Sequence, residues 1–187
     1  MDAKKIVRIV IPALIVLVVA GIWFAKNADT VMNDPAERKS NLSDKSKVDD
    51  DPNFALEVES IDLKTLTAYG LPLIVDFGSD ACIPYQEMAP VLRTMNSATR
   101  GKAIIKFVDV WKHTTAANDF PVQVIPTRVI INADGTPYVP SDSMKESGIE
   151  FTMYSSKDTN EHVFTTHQGG LTEAQMRRIL TDMGVPE

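Results

Sequence analysis

The sequence predicts an α/β domain whose central sheet is covered by helices on both faces, preceded by an N-terminal apolar helix. Three observations lead to this prediction: an uncharged apolar run near the N-terminus, strand patterns that alternate with helical patterns after residue 53, and a final helix with clear capping residues. Buried strands separated by helices are typical of a sheet covered on both sides. We therefore divide the 187 residues into an N-terminal segment, a linker and one domain.

The N-terminal segment, residues 1–25, has the features of a transmembrane anchor. Residues 9–25 carry no charge, and at about 1.5 Å per helical residue they nearly span a hydrocarbon core of about 30 Å. A cleaved signal peptide is the alternative, but the apolar run continues beyond the weak cleavage signal at residues 18–20. Basic residues before the run and acidic residues after it predict a domain outside the cell membrane. The basic residues are Lys4, Lys5 and Arg8.

The linker, residues 26–52, is polar and has no apolar periodicity, which is typical of a disordered tether, so the domain is expected at residues 53–187. The formal net charge is −6, and basic residues do not cluster beyond the N-terminus, which argues against a nucleic-acid partner. The chain has a single cysteine, which excludes an intramolecular disulfide and a zinc site built from several cysteines. The histidines are scattered, so we expect no metal and no cofactor.

The first two thirds of the domain alternate between strand and helix patterns. Residues 54–60 alternate in polarity, which predicts a short strand. Apolar side chains at helical spacing predict helices, and nearly continuous apolar runs predict strands covered on both faces. The expected order is strand, helix, strand, helix, strand, helix and strand, at residues 54–60, 63–69, 71–77, 88–95, 103–110, 114–120 and 127–132.

The last third of the domain is predicted to form a hairpin and a final helix. Two β-rich segments, residues 151–154 and 162–166, flank a polar turn. Thr172 and Gln175 have the spacing of a capping box, which marks the start of a helix. The apolar face of that helix ends at Gly184, a residue type that often terminates helices.

The candidate site lies where the strand at residues 71–77 meets the following helix. Asp76 lies in the strand, Cys82 at the turn and Pro90 inside the helix. Further along, the sequence Ile125–Thr127 places a proline directly before another strand. This set of residues and its spacings resemble the thioredoxin family. Members of that family have a buried Asp, a Cys-x-x-Cys at a helix start, a helix-kinking proline and a cis-proline before a strand.

The resemblance covers residues 53–187 and implies a thioredoxin fold with an insertion at residues 137–148. It implies thiol–disulfide exchange on protein thiols and disulfides, with a membrane thiol-transfer protein as the usual electron donor. By resemblance, Pro126 would lie beside the reactive sulfur, and the backbone of Ile125 would pair with an extended partner chain. The residues that the resemblance implies for partner binding are Ile83, Pro84, Tyr85, Ile125 and Pro126.

Cys82 is the expected nucleophile. A cysteine at a helix N-terminus faces unpaired N–H groups and the positive end of the helix dipole, and both stabilise the thiolate that attacks disulfides. The alternative is an inert core thiol, which the position at a helix start disfavours. Asp76 has two open interpretations: it assists catalysis, or it forms a structural buried pair with Lys106.

The motif departs from the family at its fourth position, where Tyr85 replaces the second cysteine. Gly78 and Ala81 also stand where aromatic residues are common in the family. Without a resolving thiol, the chain can form a mixed disulfide but needs an outside thiol to release it. The phenol either fills the core or contacts the partner, and its place in the first helical turn favours packing.

The sequence therefore predicts a membrane-tethered, monothiol exchange protein. Two alternatives stay open. One is a binding module that keeps the fold without turnover, and the other is a dithiol reductase in which Tyr85 replaces the second cysteine.

Overall fold

A computed structural model of the chain describes residues 50–186, and residues 1–49 and 187 lie outside the described part. The predicted anchor and nearly all of the predicted linker belong to the residues not described. Within residues 50–186, no helix combines the length and the apolar character that crossing a bilayer requires.

The domain is built on a five-stranded mixed sheet. Its strand order is β2-β1-β3-β5-β4; β1 and β2 are parallel, and the other neighbouring pairs are antiparallel. Every residue of β1, β2 and β3 is buried, as their nearly continuous apolar patterns predict. The strands are β1 at Leu73–Gly78, β2 at Ile104–Asp109, β3 at Thr127–Ile131, β4 at Thr152–Ser155 and β5 at His162–Gln168.

The helices agree with the predicted positions where the sequence carries capping or periodic signals. Thr172 accepts a hydrogen bond from the backbone of Gln175, and the reciprocal bond completes the predicted capping box at the final helix. The long helix after β1 continues through Pro90. The α-helices are α1 at Leu63–Thr67, α2 at Ile83–Ala98, α3 at Asp142–Lys145 and α4 at Glu173–Asp182, and a short 3₁₀ helix spans Pro52–Phe54.

Each face of the sheet carries its own apolar core. One core, which we call the α2–α4 core, joins side chains such as Ile74 and Ile130 of the sheet to residues of α2 and α4. The opposite core joins Val75 and Val129 to the 3₁₀ helix and to α1. Because side chains alternate between the faces of a strand, neighbouring residues of β1 enter different cores.

Two predicted elements are wrong in kind. Residues 54–60 do not form a strand: their pairing is limited to one parallel bridge between Glu57 and Phe107, with backbone hydrogen bonds of 2.7 and 3.0 Å on either side of it. Residues 114–120 form successive turns, closed by bonds such as that from the Phe120 N–H to the Ala117 carbonyl at 3.0 Å. Bonds of this i→i+3 type close isolated turns without the i→i+4 ladder of an α-helix.

The segment at residues 137–148 folds against the end of α4. Tyr138 is buried, and its hydroxyl donates to the Asp182 carboxylate. The backbone N–H of Ser141 donates to the same carboxylate at 3.1 Å. The segment therefore contributes to the α2–α4 core, and Tyr138 and Met144 are its buried side chains there.

Candidate active site

The candidate site lies at one end of the strands, where β1 ends and β3 begins. Cys82 follows the end of β1, and Pro126 precedes the start of β3; the two strands are paired there through Phe77 and Thr127. The Ile125–Pro126 peptide bond is cis, as the resemblance implies. The N–H of Gly169, just after β5, donates to the Pro126 carbonyl at 3.0 Å. The pairing of β1, β3 and β5 thus brings the predicted cysteine and proline to the same end of the sheet.

Asp109, at the end of β2, fixes the turn that leads to Cys82. Its carboxylate accepts a hydrogen bond from the N–H of Asp80 at 3.1 Å, and the N–H of Cys82 donates to the Ser79 carbonyl at 3.0 Å. Burial acts to raise the pKa of Asp109, but backbone N–H donors, first that of Asp80, outweigh it and lower the pKa. An ionised carboxylate therefore anchors the turn.

Cys82 is the N-cap residue of α2. Its carbonyl accepts hydrogen bonds from the N–H groups of Tyr85 at 3.1 Å and Gln86 at 3.0 Å. Within residues 50–186 its side chain makes no capping hydrogen bond, and it lies partly buried against the α2–α4 core. The thiol is free, and Cys82 directly precedes the first residue of this 16-residue helix.

Tyr85 occupies the core and not the surface. Its side chain is 5% exposed and stacks on Phe107 with ring centroids 4.0 Å apart and an angle of 16°. A Cβ on Gly78 would lie 3.3 Å from the Tyr85 ring and 3.2 Å from the Phe107 ring, so only a glycine leaves this stack undisturbed. Burial raises the pKa of Tyr85 to about 12, with the nearby Glu57 and Asp76 carboxylates contributing, so the phenol is neutral at physiological pH.

The expected pair of Asp76 with Lys106 is wrong. In the register of β1 and β2, Asp76 stands beside Phe107, whereas Lys106 stands beside Val75 on the opposite face of the sheet. Asp76 pairs instead with Arg128 of β3, its direct cross-strand neighbour, at 3.2 Å between Nη2 and Oδ2. Both side chains are 0% exposed.

Lys106 serves the opposite face of the sheet. Its ammonium donates to the Ala55 carbonyl at 2.6 Å, just after the 3₁₀ helix. Burial lowers the pKa of Lys106 to about 8, while the Asp51 carboxylate acts in the other direction. Lys106 therefore does not take part in the candidate site. It binds the residues at the start of the domain to β2.

Arg128 joins the site strands to the loop after β5. Its Nη1 donates to the Gly169 carbonyl, and its Nη2 contacts Met88 Sδ of α2. Burial raises the pKa of Asp76, and the Arg128 guanidinium opposes that rise. The next cross-strand neighbour, His167, donates through its Nδ1–H to the Glu150 carbonyl at 2.8 Å, and burial lowers the pKa of its imidazole. Among the described residues, three buried atoms in this row have no hydrogen-bond partner: Asp76 Oδ1, Arg128 Nε and His167 Nε2.

Comparison with known proteins agrees with this architecture. The thioredoxin family model matches residues 40–153. The chain belongs to the thioredoxin family. Chloroplastic thioredoxin Y of rice is 32% identical over 66 residues, which are 35% of this chain and 39% of that protein. Mouse mitochondrial thioredoxin is 33% identical over 60 residues, 32% of this chain and 36% of that protein.

Thioredoxin 1 of Chlorobaculum tepidum is 35% identical over 60 residues, 32% of this chain and 59% of that protein. The match thus spans less than two thirds of each of these relatives. Among solved structures, chloroplastic thioredoxin z is 22% identical with a TM-score of 0.44, covering 71% of this chain and 98% of that one. Fasciola hepatica thioredoxin is 22% identical with a TM-score of 0.46, covering 68% and 97%.

As a thioredoxin-family protein, the chain has the predicted α/β fold. The residues expected to bind the partner differ from one another in exposure. Ile83 is 69% exposed and Pro84 is also exposed, whereas Tyr85 and Pro126 are buried. Ile125 lies between these extremes.

Sequence reasoning missed Arg128 and Phe107. Both lie on the same face of the sheet as Asp76, and the side-chain alternation of a strand could have indicated this only if the register were known. The one available signal is a charged residue two positions after Pro126, inside a strand whose other residues carry no charge. A buried guanidinium requires a buried partner, and Asp76 is the carboxylate that meets this requirement.

Proposed function

We propose that this thioredoxin-family protein is tethered to the cell membrane and performs extracytoplasmic thiol–disulfide exchange through Cys82 alone. The observation that carries the proposal is the free, partly exposed thiol at the N-cap of α2, followed three residues later by a buried aromatic ring. The position at the start of a helix leaves the thiol available for attack, and the ring leaves no second sulfur at the fourth motif position.

The exchange runs in two steps. The Cys82 thiolate attacks one sulfur of a partner disulfide, a new S–S bond forms, and the other partner sulfur leaves as a thiolate. An external thiolate, from the partner or from a small thiol, then attacks the mixed disulfide and returns Cys82 to the thiolate. The two steps together rearrange or pass on a disulfide without net oxidation of this chain. Tyr85 cannot perform the second step, because a phenol forms no S–S bond.

The tether and the location rest on the sequence. The uncharged run at residues 9–25 follows three basic residues, which supports a single-pass anchor with the domain outside. A membrane thiol-transfer protein is then the electron donor expected for this compartment. An exported thiol protein with one cysteine depends on such an outside source of thiols.

A second candidate function is a binding module that keeps the thioredoxin fold without turnover. The observation that favours it is the stacking of the buried Tyr85 ring on Phe107, which fills with an aromatic ring the motif position where a dithiol site needs a sulfur. The two candidates differ in what they require of Cys82, since a binding module has no use for an activated thiol.

Alkylation of the reduced full chain in mild detergent separates these candidates. At pH 6.5 we expect iodoacetamide to modify Cys82 about tenfold faster in the folded chain than in the same chain unfolded in urea, because the helix N-terminus stabilises the thiolate. Cys82→Ser is the blank for both reactions. The folded chain should also form a mixed disulfide with an oxidised protein, and added glutathione should release it.

A folded thiol that reacts no faster than the unfolded one, together with no trapped mixed disulfide, would favour the binding module. The unfolded chain controls for reagent quality, because it contains the same single cysteine. The result does not depend on knowing the natural partner.

A further inference from the structure

Two depressions in the surface reach the first turn of α2. One has a volume of about 280 Å³ and is lined in part by Asp80 and Tyr85. The other has a volume of about 400 Å³ and begins at Pro84. Cys82 lies between Asp80 and Pro84 in the chain, so both depressions are adjacent to the turn that carries the thiol. A partner that reaches Cys82 must therefore contact the surface between them.

The larger depression, which we call the α2–α4 groove, has an apolar lining. It lies between α2 and the residues that start α4, and its apolar side chains are Pro84, Met88, Val91 and Leu171. Met88 and Leu171 are held in place by the α2–α4 core, so the floor of the groove is fixed. A preformed apolar depression of this kind accepts an aliphatic side chain without reorganising.

Carboxylates line both depressions. Glu87 and Glu173 line the groove, and its lining residues include no lysine or arginine. Glu173 is bound by Arg177 of its own helix at 2.7 Å, so Glu87 is the carboxylate left to meet a partner there. The smaller depression is lined by four carboxylates and one lysine, Lys112, whose ammonium is already bound to Asp80 and lies 3.7 Å from Asp109. The other two carboxylates are Glu57 and Glu59.

We propose that the partner of Cys82 is an extended polypeptide segment that carries a Lys or Arg and an aliphatic side chain next to its reactive sulfur. The aliphatic side chain enters the α2–α4 groove, and the cation lies over the carboxylates around the first turn of α2. Charge of one sign around a site raises the encounter rate of oppositely charged partners and disfavours others. The proposal rests on the exchange reaction proposed above and specifies its partner.

Synthetic peptides activated as pyridyl disulfides test this proposal. Attack of the Cys82 thiolate on the peptide sulfur forms the mixed disulfide and releases thiopyridone, whose absorbance gives the rate. Three peptides share a leucine beside the cysteine and differ only in one flanking residue, which is Lys, Gln or Glu. We expect the full chain to react about tenfold faster with the Lys peptide than with the Glu peptide at low salt, and the ratio to approach one at 1 M salt.

A second pair of peptides tests the groove. Replacing the leucine by serine in the Lys peptide should slow the reaction several-fold at any salt concentration, since burial of the aliphatic side chain is not screened. A rate that is unchanged by this replacement would remove the groove from the proposal.

Glu87→Gln is the informative variant, and Glu146→Gln is its matched control, an exposed glutamate in the segment at residues 137–148. Glu87→Gln should reduce the preference for the Lys peptide, while Glu146→Gln should leave it unchanged. Neutral dithiodipyridine provides the reference rate. If Cys82 reacts with dithiodipyridine but reacts equally fast with the Lys, Gln and Glu peptides, this inference is wrong and the proposed exchange stands. If Cys82 is inert to dithiodipyridine, both are wrong.

Discussion

Tyr85 is the residue that most changes the chemistry expected of a thioredoxin-family site. It stands at the fourth position of the motif, is buried and stacks on Phe107, and a Cβ added at Gly78 would lie 3.2–3.3 Å from both rings. A side chain at position 78 would require this stack to shift, because even a Cβ there would lie 3.2–3.3 Å from the two rings. The glycine and the tyrosine are therefore complementary.

Introducing a cysteine at position 85 should reduce the stability of the fold. Tyr85→Cys removes a buried ring and leaves a cavity, so we expect the free energy of unfolding to fall by about 3 kcal/mol. Tyr85→Phe keeps the stack and should stay within about 1 kcal/mol of the unchanged chain. Urea unfolding of the full chain in mild detergent, followed by tryptophan fluorescence, measures both.

Gly78→Ala provides an independent check of the same stack. It should be more destabilising in the unchanged chain than in Tyr85→Cys. A Cβ at position 78 meets the rings of both Tyr85 and Phe107 in the unchanged chain, but only that of Phe107 in Tyr85→Cys. Equal effects in both backgrounds would mean that Tyr85 does not limit the space at position 78. Strong disulfide reductase activity of Tyr85→Cys would support an origin from a dithiol reductase, and an inert variant would count against it.

At the scale of elements, the buried pair of Asp76 and Arg128 joins β1 to β3 beneath α2. The pair also reaches the loop after β5 through the Gly169 carbonyl. A buried ion pair contributes little net stability compared with apolar residues of similar size, but loss of one partner leaves the other charge uncompensated. The arrangement thus makes each residue dependent on the other.

Arg128→Met should therefore be strongly destabilising near neutral pH, by about 3–5 kcal/mol. Without the guanidinium, burial alone acts on Asp76 and raises its pKa further above that of the unfolded chain. A raised folded-state pKa means that the folded chain holds the proton more tightly, so the variant loses stability as the pH rises above the unfolded value of about 3.9. Melting temperatures of the variant and the unchanged chain between pH 4 and pH 8 measure this trend.

The double variant Asp76→Asn/Arg128→Met separates charge from packing. It should recover much of the loss at neutral pH and lack the added pH dependence, because no buried carboxylate remains. A double variant as unstable as Arg128→Met at every pH would assign the effect to lost packing against Met88 and not to the charge.

The elements that the sequence predicts well are those with local signals. The capping box at Thr172 and the buried strands β1 to β3 follow from side chains a few positions apart, and the structure confirms them. Residues 54–60 have the alternation of a strand, yet they meet β2 at one bridge only, and no local pattern reveals how far a partner strand extends.

The same limit applies within the site. Cys82, Asp76 and the cis-proline are recognisable because their spacing is local or matches the family. The partner of Asp76 depends on the register of β1 with β2 and β3, and a shift of one residue exchanges Lys106 for Phe107 on that face. The sequence therefore locates the cysteine and the proline of the candidate site but not the buried ion pair of Asp76 with Arg128.

At the scale of the whole molecule, the single cysteine makes the predicted topology directly measurable. Cells that express the full chain are treated with a membrane-impermeant maleimide, which can attach only at Cys82. With the domain outside the membrane, we expect the chain to be labelled in intact cells to the same extent as after lysis. Cys82→Ser should take up no label.

A chain that lacks residues 1–25 is the matched control for export. It should remain inside the cell and be labelled only after lysis. The prediction fails if the full chain also requires lysis, since the domain would then be on the cytoplasmic side. Incomplete labelling that lysis does not improve would instead reflect a shielded thiol.

Helix α4 separates two parts of the surface that can change independently. Its first residues line the groove beside Pro84, while Asp182 at its other end binds Tyr138 and Ser141 of the segment at residues 137–148. Ten helical residues place these ends about 15 Å apart. The length and sequence of residues 137–148 can therefore differ between homologues, and the segment can acquire new binding partners. The residues around Cys82 need not change with it.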